Sequence, residues 1–228
     1  MISIKNLSIS YKKNENVIED LNLQMQENCI HGIVGLNGAG KTTLLNSIFG
    51  LKKYNKGEIL FNNKKLSKKI IIYLPTENYF YSNITGREYL NLFKNKEFDT
   101  EKWNSLFLLP LDKIIDTYSN GMKKKLALLG ILKKDKPIMI LDEPFNGLDI
   151  ETSRIIRSIL LKLKEKGNTI IVTSHIIETL TNMCDYIHYL ENGRIKYNKV
   201  KYEFEDFENE IFNSIENKNK ELIKELIK

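Results

Sequence analysis

Nine consecutive residues, Gly35-Leu36-Asn37-Gly38-Ala39-Gly40-Lys41-Thr42-Thr43, have the types and spacing needed to hold a chain of phosphates. They fit the pattern G-x-x-x-x-G-K-[ST]. Gly35, Gly38 and Gly40 tolerate positive φ and let bare backbone approach an anion. Asn37, Ala39 and Thr43 complete the loop, whose N–H groups and following helix start form a nest of partial positive charge. Lys41 is placed to reach the β- and γ-phosphates, and the Thr42 hydroxyl to ligate Mg²⁺. A nucleoside triphosphate is the ligand this chemistry predicts.

A second group lies about 100 residues downstream. Ile138-Met139-Ile140-Leu141 is an apolar strand that ends in Asp142-Glu143. Buried in a sheet, it would bring its end beside the phosphate loop. Asp142 then suits Mg²⁺, through water, and Glu143 suits an attacking water. Adjacent residues leaving a strand point to different sides, so two carboxylates imply two tasks. Without the upstream loop, the pair would read as a strand end meeting solvent.

These groups need an α/β scaffold. Ile30 to Val34 reads as a strand before the loop and Thr42 to Phe49 as a helix after it. Apolar alternation predicts strands over Ile2–Ile9 and near Val17–Met25, and further strands over Gly57–Phe61 and Ile70–Leu74. From about Asn78 to Lys133 helical patterns replace them: Thr85–Phe93, Thr100–Phe107 and Asn120–Leu132. Thr85 with Glu88 reads as a capping box, and Asp99 or Thr100 as the next cap. Strand and helix then alternate: Ile138–Leu141, Glu151–Lys166, Thr169–Thr173, a short helix from Ile176, and a hairpin turning at Asn192-Gly193. In Tyr202 to Lys228, Phe204, Phe207, Ile211 and Ile215 recur near helical spacing, as do Leu222, Ile223, Leu226 and Ile227. An amphipathic helix packed on the body is expected there, with a regulatory or dimer contact as the alternative.

Composition narrows the class. The chain has 228 residues, 42% hydrophobic and 28% charged, as a globular domain with its own core should. No apolar run approaches the 18 or so residues of a membrane span, and no signal peptide is visible at the N-terminus. Cys29 and Cys184 lack metal-ligand spacing and read as reduced thiols. The net charge of +6 divides into −3 over residues 201–228 and +9 over the rest. Only four of the 35 basic residues are Arg, and the Lys are scattered. That is a solvated surface, so no nucleic-acid partner is expected.

Taken with Tyr118-Ser119-Asn120-Gly121-Met122-Lys123-Lys124-Lys125, these motifs resemble the ATPase subunits of ATP-binding-cassette transporters over about residues 1–197. The YSxGMK segment is similar to the family's LSGGQ signature, in a form common among exporters. The resemblance implies a P-loop NTPase core sheet, an antiparallel N-terminal β-subdomain and an inserted helical subdomain at about 78–132. ATP and Mg²⁺ would be the ligands. Ser119 and Gly121 would cap the γ-phosphate held by the opposite subunit, and Asp149, in Asn146-Gly147-Leu148-Asp149, would cross the dimer interface. His175 matches the switch histidine and Tyr11 the aromatic residue that stacks on adenine; His31 and His188 match nothing functional. The catalytic set is thus Glu143, His175 and Lys41. One position departs: the family's usual Gln is Thr76 here, followed by Glu77, so either of these, or a water, would meet the metal.

The resemblance implies an ATPase driven by ATP-dependent dimerisation, as a homodimer or heterodimer, with separate transmembrane permease subunits at the cytoplasmic face of the cell membrane. An ATPase clamp acting on nucleic acid or a protein scaffold is the other reading. Such relatives usually carry two cassettes or a long coiled coil, and this chain has neither.

Overall fold

Burial alternates along the first strand: Ile2, Ile4, Leu7 and Ile9 are buried, while Lys5, Asn6, Tyr11 and Lys12 are exposed. The computed structural model of the chain describes residues 1–12, 15–211 and 224–227. Strand β1 (Ile2–Lys12) pairs antiparallel with β2 (Glu15–Met25) and with β4 (Lys56–Phe61), and β4 pairs with the short β5 (Lys64–Lys65). The order in this sheet is β2-β1-β4-β5.

A second sheet combines β3 (Ile30–Val34), β6 (Ile71–Leu74), β7 (Ile138–Leu141), β8 (Thr169–Ser174), β9 (Tyr186–Glu191) and β10 (Arg194–Val200), in the order β10-β9-β3-β8-β7-β6. All neighbours from β9 to β6 are parallel, and β10 is antiparallel. The β9–β10 hairpin turns through Asn192 at φ 50° and Gly193 at φ 74°, the positive values that a two-residue turn of this hand requires.

The parallel strands are buried on both faces, and alternate residues serve two cores. Ile33, Ile138, Ile140 and Ile171 face α1 (Lys41–Phe49) and the antiparallel sheet, joining Leu44, Leu45, Ile2 and Leu7. Ile30, Val34, Met139, Leu141, Ile170 and Val172 share the other core with α4 (Asn120–Lys134), α5 (Ile150–Glu165) and α6 (Ile177–Thr181). Because β3, β6, β7 and β8 run in one direction, their C-terminal ends share one sheet edge. That edge gathers the phosphate loop, Thr76, Asp142 and His175 from distant parts of the sequence.

The segment between β6 and β7 holds α2 (Gly86–Asn91), α3 (Thr100–Asn104) and α4, with Thr85–Ile114 as its one β-bridge among the described residues. Thr85 and Glu88 form the capping box, and Asp99 accepts from the Lys102 N–H. Both short helices stop before the sequence pattern does. Leu92 and Phe93 bond three residues back, to Tyr89 and Leu90, which tightens the end of α2. After α3, the Asn104 side chain bonds both the N–H and the carbonyl of Leu109, and Leu108 takes φ 51°, so the chain folds back.

Residues 204–211 are helical, and Phe204, Phe207 and Ile211 are buried, with Phe207 meeting the rings of Tyr189 and Tyr197 edge-on. Ile215, Leu222 and Ile223 lie outside the described residues, and Leu226 and Ile227 are exposed. No described helix is long and apolar enough to cross a membrane.

His31 and His188 are buried neighbours on β3 and β9. His31 Nε2 is 2.8 Å from the Gln26 carbonyl, its Nδ1 is 3.1 Å from His188 Nε2, and His188 Nδ1 is 2.8 Å from the Asn198 side-chain amide. Burial pushes each ring's pKa down to about 4.

Candidate active site

The backbone of the phosphate loop leaves no choice of residue at two positions. A Cβ on Gly35 would lie 2.3 Å from the Leu190 carbonyl oxygen, and Gly40 stands at φ 106° with Val17 and Ile18 pressed against it. Lys41 begins α1 and is buried, with Nζ donating to the Gly35 carbonyl at 2.7 Å and 3.6 Å from Glu143 Oε1. Its charge is thereby aimed into the loop it follows.

Asp142 is 1% exposed, and three hydroxyls from three elements surround its carboxyl group. Thr42 Oγ1, from α1, donates to Oδ2 at 2.8 Å, and Tyr73 OH, from β6, donates to the same oxygen at 3.3 Å. Thr173 Oγ1, from β8, donates to Oδ1 at 2.6 Å. Burial, and then the Asp142 charge, raise the Tyr73 phenol well above its ordinary range, so it stays a donor.

Glu143 leaves the strand at φ 50°, a strained conformation for a non-glycine residue. Its N–H donates to Thr173 Oγ1 at 2.9 Å, and its Oε2 meets His175 Nδ1 at 3.0 Å. Thr173 therefore bridges the two adjacent carboxylate residues, through the side chain of one and the backbone of the other.

A cavity of about 560 Å³ opens over this group, a size suited to a small-molecule ligand. Asn37, Gly38, Gly40, Lys41, Thr42 and Thr43 line it from the loop and α1. Thr76, Glu143, Asn146 and His175 line it from the other strand ends. Gly35 and Ala39 are not in the lining; they shape the loop from behind, Ala39 donating its N–H to the Leu36 carbonyl at 3.1 Å. The Thr42 hydroxyl and Asp142 carboxylate offer a hard cation oxygen donors. Oxygen donors of this kind suit Mg²⁺, an ion that keeps waters and shares substrate phosphates.

Tyr11, Ser119, Gly121 and Asp149 lie outside that lining. Tyr11 flanks the loop: its OH is 3.3 Å from Thr43 Oγ1, and Lys52 Nζ lies 3.9 Å over its ring. Ser119 is the exposed N-cap of α4 and accepts from the Met122 N–H. A Cβ on Gly121 would be 3.9 Å from the Gly147 carbonyl, so the start of α4 abuts the loop after Glu143. Asp149 caps α5, accepting from the Thr152 N–H and hydroxyl with Lys125 Nζ at 3.7 Å. Those contacts, the Thr152 N–H foremost, hold its carboxyl below the usual range. Thr76 reaches the main cavity, whereas Glu77 lines a neighbouring one of about 390 Å³ with Asn120 and Lys123.

Three contributors were missed by the sequence reading. Tyr73 and Thr173 are polar residues in strands otherwise rich in Ile and Val, and that contrast was their available signal. Lys124 lay inside the quoted signature segment; its Nζ donates to the Asn146 carbonyl, tying α4 to the cavity wall. Burial lowers the Lys124 pKa, and the Glu143 charge opposes that shift.

Known proteins with this arrangement are numerous. The sequence model described as ABC transporter matches residues 18–146. The lantibiotic transport ATP-binding protein SrtF of Streptococcus pyogenes is 28% identical over 225 residues, covering 94% of this chain and 96% of that protein. The solved ATP-binding subunit of an ABC transporter superposes with a TM-score of 0.80 at 29% identity, covering 88% of this chain and 90% of that one. The dimeric structure of a bacterial ABC transporter cassette gives 0.78 at 25% identity, covering 88% and 99%.

Proposed function

The chain belongs to the ABC transporter family as an ATP-binding, ATP-hydrolysing subunit, and from that premise we propose that it drives an exporter, its two half-sites being shared between paired cassettes. One observation carries the assignment of the site: Glu143 stands between Lys41 Nζ, at 3.6 Å, and His175 Nδ1, at 3.0 Å, on the wall of the phosphate-loop cavity.

In this reading the loop N–H groups and Lys41 bind and orient the β- and γ-phosphates of ATP, and Tyr11 stacks on the adenine. Thr42 and Asp142 hold Mg²⁺, which when bound neutralises phosphate charge. Thr173 and Tyr73 fix the Asp142 carboxylate in orientation. Glu143 orients the attacking water, and His175 holds Glu143 and senses the γ-phosphate. Thr76 takes the cavity position that is usually a glutamine, and Glu77 does not.

Ser119 and Gly121 lie outside the cavity of their own chain, as groups that complete a partner's site must. The dimeric cassette structure supports pairing of this kind, and in such a pair Asp149 would lie near the shared boundary. ATP then favours the closed dimer through donors supplied only there, and hydrolysis removes the group they hold. The exporter reading rests on the YSxGMK form of the signature and on the lantibiotic transport relative. Permease subunits would be separate polypeptides, placing this chain at the cytoplasmic membrane face.

The test is a pull-down of tagged Glu143→Gln protein with ATP from detergent-solubilised membranes. Recovery of a stoichiometric polytopic membrane protein is expected. Recovery of soluble proteins or nucleic acid alone overturns the transporter partnership while leaving the ATPase intact.

A further inference from the structure

A cleft of about 480 Å³ lies at the C-terminal end of α1, lined by residues from α1, β4, β5 and the segments around them, with none of the catalytic residues in its wall. Four lysines line it: Lys52, Lys53, Lys65 and Lys68. None of them makes an ion pair with a carboxylate among the described residues. Lys52 and Lys68 instead lie over the rings of Tyr11 and Phe49. The inner wall is apolar, with Ile48 and Ile59 almost fully buried.

One polar group lies behind that wall. Ser47 is 97% buried, and its Oγ has no hydrogen-bond partner. An orphaned buried hydroxyl destabilises a fold, and this one lies beneath the surface of the cleft rather than on it. Four unneutralised ammonium groups and apolar walls together describe a site for an anion joined to an apolar body.

The donors select the anion. Planar carboxylates are best held by the forked guanidinium of Arg, and this cleft has none. Lysine ammonium groups, as compact point charges, suit a tetrahedral phosphate that can be approached from several sides. The volume is that of a small-molecule site. We propose that this cleft binds the phosphate of an amphiphilic phosphoester, with the four lysines around the phosphate and the apolar wall covering the adjoining carbons. The phosphate can come from an anionic phospholipid headgroup or from a soluble phosphoester.

Both sources are tested on the full chain with the phosphate loop filled by a non-hydrolysable ATP analogue. Wild-type protein, Lys65→Glu/Lys68→Glu, Ser47→Ala and the charge-matched control Lys96→Glu/Lys113→Glu are titrated with phosphatidylglycerol vesicles, phosphatidylcholine vesicles and glycerol 3-phosphate. Saturable wild-type binding to phosphatidylglycerol but not phosphatidylcholine is expected. The cleft double variant should lose at least 10-fold in affinity, and Ser47→Ala and the control each less than 2-fold. Binding of glycerol 3-phosphate alone, with the same variant pattern, supports the site and assigns it the soluble source.

Equal losses in the two charge variants would reduce the effect to nonspecific attraction and overturn the site. Binding of neither phosphate probe overturns it too. So does retention of a fluorescent Glu-rich peptide alone, which would give the cleft to a protein segment.

Discussion

Thr173→Val removes one hydroxyl and keeps the shape of the side chain. Thr173 is fully buried and makes two bonds to the site, donating to Asp142 Oδ1 at 2.6 Å and accepting from the Glu143 N–H at 2.9 Å. A hydrogen bond to a charged group contributes about 1.5–3 kcal/mol, and a buried N–H left unpaired costs about 1–3 kcal/mol. With partial relaxation, a loss of about 3 kcal/mol is expected. In a chain of this size each kcal/mol moves Tm by about 2–4 °C, so thermal unfolding should fall by about 6–12 °C. Glu143 sits at a strained φ that the Thr173 bond helps to hold, so its carboxylate should drift. Misplacement of about 1 Å costs up to about 100-fold in rate, so kcat should fall about 10- to 100-fold with KM changed less than about 3-fold. Thr173→Ser keeps the hydroxyl and loses one buried methyl, costing about 1 kcal/mol and little activity. A Thr173→Val protein that melts within a degree of wild type and hydrolyses ATP normally would refute the bridging role. So would a Thr173→Ser protein as impaired as Thr173→Val.

Lys41→Ala should abolish binding of a fluorescent ATP analogue, and tight binding by that variant would sink the phosphate-loop assignment. Thr76→Gln should leave nucleotide affinity nearly unchanged, since Thr76 lies on the cavity wall away from the loop itself, and a large loss in the same titration would contradict that placement. The buried pair His31 and His188 predicts acid sensitivity. Both pKa values fall from the ordinary 6.5 to about 4, chiefly through burial, so between those values the unfolded chain binds more protons. Stability should therefore be full above about pH 6.5 and decline on acidification towards pH 4, by up to about 2.7 kcal/mol per pH unit for two protons. Urea unfolding at pH 7, 6 and 5 measures this, and a flat profile would show that the rings are not held neutral.

The cavity's chemistry was legible in one dimension because it is written in short contiguous motifs. Gly35 to Thr43 and Asp142-Glu143 each carry their own backbone context, a strand end followed by a turn or helix. Pairing of the strands was less legible. The β3–β8–β7–β6 order, which brings Thr42, Tyr73, Asp142 and Thr173 together, depends on which apolar strand lies beside which. Strands such as Ile138–Leu141 and Thr169–Ser174 are buried on both faces and carry no alternation to mark their neighbours. Tyr73 and Thr173 gain their roles only from that adjacency. The early ends of α2 and α3 were equally hidden, because the Asn104–Leu109 clasp and the tightened turn after Leu90 compete with a continuing helical pattern.

By itself, the sequence determined the kind of chemistry: a glycine loop with Lys41 and Thr42 for phosphates, two carboxylates for metal and water, and the elements that must flank them. Those choices are set by local backbone geometry and by side-chain functional groups. Only the tertiary structure decided that Thr173 joins Asp142 to Glu143, that Thr76 rather than Glu77 meets the cavity, and that four lysines share one cleft. Each of these is a meeting of residues far apart in sequence or pointing to different sides of one turn. Such a meeting is set by sheet order and packing, and no spacing along a single chain encodes it.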